Sequence, residues 1–133
     1  MKKLIILLAA MMSGCTLVDA YLLTKYDPNE YGMITEIRTT AHIYADLCAD
    51  PAVAKQNAIT LFYHTNLFAT YAEYIPHNDS GLDAARNLNE IAQGLSAKYQ
   101  AGEKVSPAFC RIKFESVENS AKLMQSVIGK RPR

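Results

Sequence analysis

Three dipeptides, each a capping residue followed by proline, constrain the fold of this chain more than any other feature. They are Asp27-Pro28, Asp50-Pro51 and Ser106-Pro107. Asp and Ser side chains accept hydrogen bonds from the unpaired N–H groups of a first helical turn, and proline at the first helical position has no N–H to leave unpaired. Each dipeptide therefore predicts the start of an α-helix. A fourth start is predicted at Asp79 or Ser80, after a break at Pro76.

These starts divide the chain into four predicted helices of similar length, at residues 28–49, 51–75, 81–100 and 107–128. Glu30, at the third helical position, completes a capping box with Asp27. Helices of matched length with short connections favour an antiparallel up-and-down four-helix bundle, an all-α fold. No segment alternates apolar and polar residues for long enough to predict a strand.

Apolar residues recur at helical spacing and predict the faces that form the core. The expected core residues of the first helix are Met33, Ile34, Ile37, Ala41, Tyr44 and Cys48; of the second, Val53, Ala54, Ala58, Leu61, Phe62, Phe68, Ala72 and Ile75; of the third, Ala84, Ala85, Leu88, Ile91, Ala92, Leu95 and Tyr99; and of the fourth, Phe109, Cys110, Ile112, Val117, Met124, Val127 and Ile128.

The first fifteen residues predict an export signal. Lys2 and Lys3 precede an apolar run at residues 4–12, which is shorter than the about 20 residues that span a bilayer but typical of a signal peptide. The tetrad Met12-Ser13-Gly14-Cys15 follows and resembles a bacterial lipobox. The resemblance implies a diacylglycerol on the Cys15 thiol, cleavage before Cys15, and an N-acyl chain such as palmitate. The alternative is an ordinary secretory signal that happens to contain a cysteine.

This resemblance defines an expected organisation for the whole chain. Residues 1–14 are the signal peptide, residues 15–26 a lipidated tether, and residues 27–133 the helical domain with a short basic tail. Thr16 follows Cys15, whereas in enterobacterial lipoproteins an Asp at that place resembles an inner-membrane retention signal. The resemblance therefore implies an outer-membrane lipoprotein that faces the periplasm, with membrane lipid as its first partner.

The two remaining cysteines predict a disulfide. The periplasm is oxidising, and a pair of thiols there is expected to be bridged. In an up-and-down bundle, Cys48 near the end of the first helix and Cys110 at the start of the last lie at the same end. The alternative, a redox site, is disfavoured because no C-x-x-C is present.

The sequence carries no pattern that predicts catalysis or a cofactor. No P-loop, dinucleotide-binding, metalloprotease or serine-hydrolase motif occurs. His42 and Asp46 share a helical face and could supply two metal ligands, but a solvated pair is the simpler interpretation. With 14 basic and 13 acidic residues, the chain lacks the basic excess typical of nucleic-acid binding. We therefore expect neither an enzyme nor a metal nor a nucleic-acid partner.

Two features predict a contact surface, for which an envelope protein is the expected partner and a membrane the alternative. Ile59, Tyr63, Leu67 and Tyr74 form a second apolar stripe on the second helix, which is either exposed or enclosed by neighbouring helices. Lys130, Arg131 and Arg133 form a basic tail, which either binds anionic lipid, a glycan or an acidic partner, or is simply solvated.

The domain resembles small lipoproteins of tailed-phage and enterobacterial genomes. A phage origin would imply an outer-membrane spanin subunit for lysis, or exclusion of superinfecting phage. Spanin outer subunits are typically shorter and proline-rich, whereas this chain has five prolines. A small-ligand binder or enzyme is the other class, and the lack of clustered acid, base or nucleophile residues argues against it.

Overall fold

The computed structural model describes residues 23–133, and these residues form four α-helices and no strand. The helices are α1, Pro28–Ala45; α2, Pro51–Ala72; α3, Asp79–Gln100; and α4, Pro107–Gly129. Helix α1 packs mainly against α4, and α2 mainly against α3, in an antiparallel bundle. The predicted all-α four-helix fold is confirmed. Residues 1–22, which contain the expected signal peptide, Cys15 and most of the tether, lie outside the described residues.

Side-chain caps start three of the four helices, as the dipeptides predict. The Asp27 carboxylate accepts from the first-turn N–H groups of α1 at 2.7 and 3.1 Å, and the Asp50 carboxylate does the same for α2 at 2.9 and 3.3 Å. The Ser106 hydroxyl accepts from the Phe109 N–H at 3.2 Å. Helix α3 is different, because its N-cap residue Asn78 makes no capping bond with its side chain.

The helix boundaries differ from the predicted ones where the chain turns. Helix α1 ends at Ala45, since the next two N–H groups bond three residues back at 3.3 and 3.0 Å and close tight turns instead. Helix α2 ends at Ala72 in the same way, and Pro76 disfavours a helical conformation for the residue before it. Helix α3 begins two residues earlier than expected, and α4 ends one residue later.

The core lies between the four helices, and three residues that were predicted to belong to it are exposed instead. Val53, Ile112 and Val127 are 41%, 58% and 55% exposed. Phe114, which is fully buried, is the centre of the α4 core face instead. Ile112 is two residues from Phe114, which is about 200° around a helix, so the two side chains lie on opposite sides. Because both sides of α4 carry apolar residues, the sequence did not indicate which side is buried.

Residues 23–133 contain no helix that combines the length and the apolar character needed to cross a bilayer.

Candidate functional site

One end of the bundle is closed by a covalent bond. Cys48, in the turn after α1, forms a disulfide with Cys110 in the first turn of α4, with Cα atoms 5.9 Å apart. Both cysteines are buried. The predicted disulfide is confirmed, and we call this the disulfide end. Beside it, the exposed Arg111 and Asp46 side chains form an ion pair at 2.9 Å.

The opposite end is closed by a buried ion pair. Glu30, in the first turn of α1, is fully buried, and its Oε2 accepts a hydrogen bond from Nη1 of Arg131, which follows α4. The Arg131 side chain is only 11% exposed, and its Nη2 also donates to Asn78 Oδ1 at 2.8 Å. The Asn78 amide in turn donates to the Ala72 carbonyl at 3.4 Å. Side chains or backbone from the ends of all four helices therefore meet here, at what we call the tether end.

The Asn78 side chain occupies its position because Gly81, in the first turn of α3, has no side chain. A Cβ atom at Gly81 would lie 2.1 Å from the Asn78 Oδ1 atom, so any larger residue would displace the Asn78 side chain. The amide that would otherwise cap α3 is thus committed to Arg131 and Ala72. Glycine is needed here for close approach and not for its backbone freedom.

The two carboxylates of this end differ in their electrostatics. Burial raises the pKa of Glu30 above its ordinary value of 4.5, and the Arg131 guanidinium offsets only part of that rise. Burial acts in the same direction on Asp27. Hydrogen bonds from the Glu30 N–H, the Tyr71 hydroxyl at 2.9 Å and the Asn29 N–H nevertheless bring the pKa of Asp27 below its ordinary 3.8. Glu30 Oε1 is buried and accepts no hydrogen bond from the described part of the chain.

The predicted basic tail is exposed at two of its three cations, but Arg131 is not available for contact. Arg131 is inside the tether end, where it neutralises Glu30. The Pro132 carbonyl accepts from the Tyr26 N–H at 2.8 Å, and the Arg133 guanidinium lies 5.1 Å from the Tyr26 ring centroid. Of the three predicted contact cations, Lys130 and Arg133 remain exposed. The sequence could not reveal this because the partner carboxylate is 101 positions away from Arg131.

The second apolar stripe of α2 is largely exposed. Tyr63, Leu67 and Tyr74 are 64%, 46% and 82% exposed, whereas Ile59 is half-buried. Tyr74 lies in the turn beyond α2, so the stripe continues past the end of the helix. Of the two sequence interpretations, the exposed stripe is therefore the one that the structure bears out, and helix α2 is not enclosed on that side.

A groove of about 700 Å³ lies at the tether end, between the start of α3 and the end of α4. Ala84 and Met124 contribute to its apolar lining, and Leu23 and Thr24 from the chain before α1 also line it. The Thr24 hydroxyl donates to the His77 carbonyl, which fixes the incoming chain at the groove.

The candidate metal ligands are separated, because each contacts a different side chain of α4. His42 Nδ1 lies 3.2 Å from Glu118 Oε1 of α4, and Asp46 pairs with Arg111. Across residues 23–133, no group of three or more His, Cys, Asp or Glu side chains is arranged to hold a metal ion. His42 and Glu118 instead line a second, smaller cleft of about 240 Å³ between α1 and α4.

Comparison of the chain with protein-family models, with curated proteins and with solved structures finds no match.

The residues that the sequence predictions missed are Glu30 and Asn78. Glu30 was predicted to complete a capping box, but its side chain binds Arg131 instead. Lys25, Asp27 and Glu36 lie close to Glu30 in the sequence, so no local signal marks its burial.

Proposed function

We propose that this protein is a lipoprotein of the outer membrane that faces the periplasm and acts by contact with an envelope protein, without catalysis. The observation that carries the contact role is the exposure of Tyr63, Leu67 and Tyr74 on one side of α2. The lipobox-like tetrad ending at Cys15 supports the anchor. The disulfide supports an oxidising compartment, since such bonds form and persist there.

The α2 stripe has the chemistry of a protein contact. Two of its side chains are tyrosines, which offer a large apolar ring and a polar hydroxyl and are enriched at interfaces. The opposite side of α2 carries the buried Ala58, Leu61 and Phe68, so the helix already has its core face. The exposed side chains of the stripe are therefore not part of the core, and contiguous exposed apolar patches commonly mark interaction sites.

The anchor is tested by Cys15→Ser. Because the cysteine thiol is the group that would be acylated, the variant is expected to remain unprocessed and to carry no lipid by intact-mass measurement. Fractionation of the envelope should then find it outside the mature outer-membrane pool. A variant that still matures and fractionates with the outer membrane would disprove the lipoprotein proposal.

The contact surface is tested by Tyr63→Glu and Leu67→Glu, made separately. Each is expected to abolish crosslinking to a discrete envelope protein while changing the free energy of unfolding by no more than about 0.5 kcal/mol, as is usual for exposed positions. Asn87→Glu and Gln93→Glu on α3 are matched controls, because both positions are exposed and add the same charge. The stripe is not the contact surface if all four variants crosslink like the parent protein.

A further inference from the structure

The tether end of the bundle carries a surface suited to a membrane, distinct from the α2 stripe. We infer that this end lies on the anionic face of the bilayer, with Leu23, Leu123 and Val127 in contact with lipid. Lys25, Lys130 and Arg133 then face the lipid phosphates. This inference rests on the proposed lipid anchor, since the anchor holds the tether end at the surface.

The apolar part of this surface comes from two separate segments of the chain. Leu123 and Val127 are four residues apart on α4, so they are neighbours on one face of the helix. They are 68% and 55% exposed, and Leu23, from the chain that leads into α1, is 54% exposed. All three line the groove between α3 and α4. Side chains that project around an open groove can enter the interfacial region of a bilayer without any rearrangement of the core.

The charges around the groove favour anionic lipid. Lys25, Lys130 and Arg133 are exposed, and Arg133 is positioned over the Tyr26 ring. Of the nearby carboxylates, Glu30 is paired with Arg131, Asp27 is held by hydrogen bonds from the start of α1, and Asp79 lines the groove and is exposed. The three exposed cations therefore outnumber Asp27 and Asp79 by three to two, although the protein as a whole is almost neutral. Clusters of Lys and Arg next to apolar side chains are typical of surfaces that bind anionic membranes.

The length of the tether places this end, and not the other, at the membrane. Leu23 is eight positions after Cys15, so even a fully extended tether would span no more than about 29 Å. The 23 residues of α4 carry the disulfide end about 34 Å further along the bundle axis. Tyr63 and Leu67 lie within α2, along the side of the bundle, and stay available to a protein partner in this orientation, whereas Tyr74, beyond the end of α2, lies at the tether end.

The test compares two dye positions on the same helix. Leu123→Cys places a thiol at the tether end, and Ile112→Cys places a matched one toward the disulfide end, since Ile112 is also exposed, at 58%. With Cys15 acylated and Cys48 bridged to Cys110, the introduced thiol is the one that an environment-sensitive dye labels. The full-length protein, purified from envelopes, is reconstituted in phosphatidylethanolamine–phosphatidylglycerol vesicles that contain spin-labelled lipid.

We expect the dye at position 123 to shift to the blue and to be quenched at least threefold more strongly than the dye at position 112. Lys130→Glu together with Arg133→Glu should at least halve the quenching at position 123, as should vesicles of phosphatidylcholine alone. Equal quenching at the two positions overturns the inference. So does a blue shift at position 123 without quenching, which would mean that protein and not lipid covers the groove.

The same samples separate failure of this inference from failure of the proposed function. Intact-mass measurement reports whether Cys15 carries lipid. Lipidated protein with an unquenched dye at position 123 overturns the membrane surface and leaves the anchor standing. Protein without lipid on Cys15 overturns the proposed anchor, and the membrane orientation that depends on it is overturned as well.

Discussion

The two ends of the bundle are closed by different chemistry, although both closures join α1 to α4. At the disulfide end, a covalent bond joins the turn after α1 to the start of α4. At the tether end, the buried Glu30–Arg131 ion pair joins the start of α1 to the residue that follows α4, with Asn78 as a third member. The disulfide does not titrate, whereas the contribution of Glu30 to stability changes with its protonation.

Both closures join the first and last helices, which no loop connects. Helix α1 makes its main contacts with α4, yet the chain passes through α2 and α3 before it returns. Both end closures join this pair, and the side chains between them do the same. Arg38 donates to Gln125 at 2.8 Å, and His42 lies 3.2 Å from Glu118. The disulfide and these side-chain contacts thus join α1 to α4, two neighbouring helices that no loop connects.

Removing the disulfide should have the largest effect on this arrangement. Cys48→Ala with Cys110→Ala reopens a loop with a sequence separation of 62, which is expected to lower the free energy of unfolding by about 4 kcal/mol in the chain-entropy description. Denaturant unfolding followed by helical circular dichroism measures the change, and reductant treatment of the parent protein is the control. A loss below about 1 kcal/mol would mean that the tether end and the core already fix α1 against α4.

Breaking the ion pair should have the next largest effect. Arg131→Met leaves the Glu30 carboxylate buried without its cation, and loss of one partner of a buried pair costs about 3 kcal/mol. Lys130→Met is the matched control, since Lys130 is the exposed neighbour and its loss should change the free energy of unfolding by about 0.5 kcal/mol or less. If both variants unfold at the same denaturant concentration, the tether end is not held by this pair.

The smallest effect is the pH dependence that distinguishes the two ends. Because burial raises the pKa of Glu30 above 4.5, the folded protein binds this proton more tightly than the unfolded chain. Its contribution to stability is therefore fully present below pH 4.5 and is lost as the pH rises through the folded pKa. Glu30→Gln removes this decline, which thermal unfolding from pH 4 to pH 8 would detect as a flatter profile than that of the parent.

Asp27 provides an internal contrast when the same measurement is extended below pH 4. Its pKa is lowered below 3.8, so its contribution is present above that pH and is lost as the pH falls through the folded pKa. The Glu30→Gln profile should keep this acid limb, because the Asp27 hydrogen bonds do not involve the Glu30 carboxyl group. Identical profiles for the parent and Glu30→Gln between pH 4 and pH 8 would contradict the raised pKa of Glu30.

Much of the fold could be predicted because it is encoded in contacts within one helical turn. Asp27, Asp50 and Ser106 each bond an N–H group no more than three residues away, so a dipeptide suffices to place a helix start. The disulfide was also predictable, since two thiols in a bundle of known direction can meet at one end only. The exact stops at Ala45 and Ala72 were not, because competing turns of similar energy decide where a helix ends.

The sites were less predictable, since they depend on which residues meet across the bundle. Arg131 looks like part of a solvated tail until the fold places Glu30 beside it from 101 positions away. Apolar residues on both sides of α2 and α4 left the exposure of Tyr63 undecided and placed Ile112 wrongly in the core, because hydropathy specifies that a residue can be buried and not that a neighbour covers it. Local hydrogen bonds and helical period are properties of short segments, whereas burial and ion pairing arise only when four helices pack together.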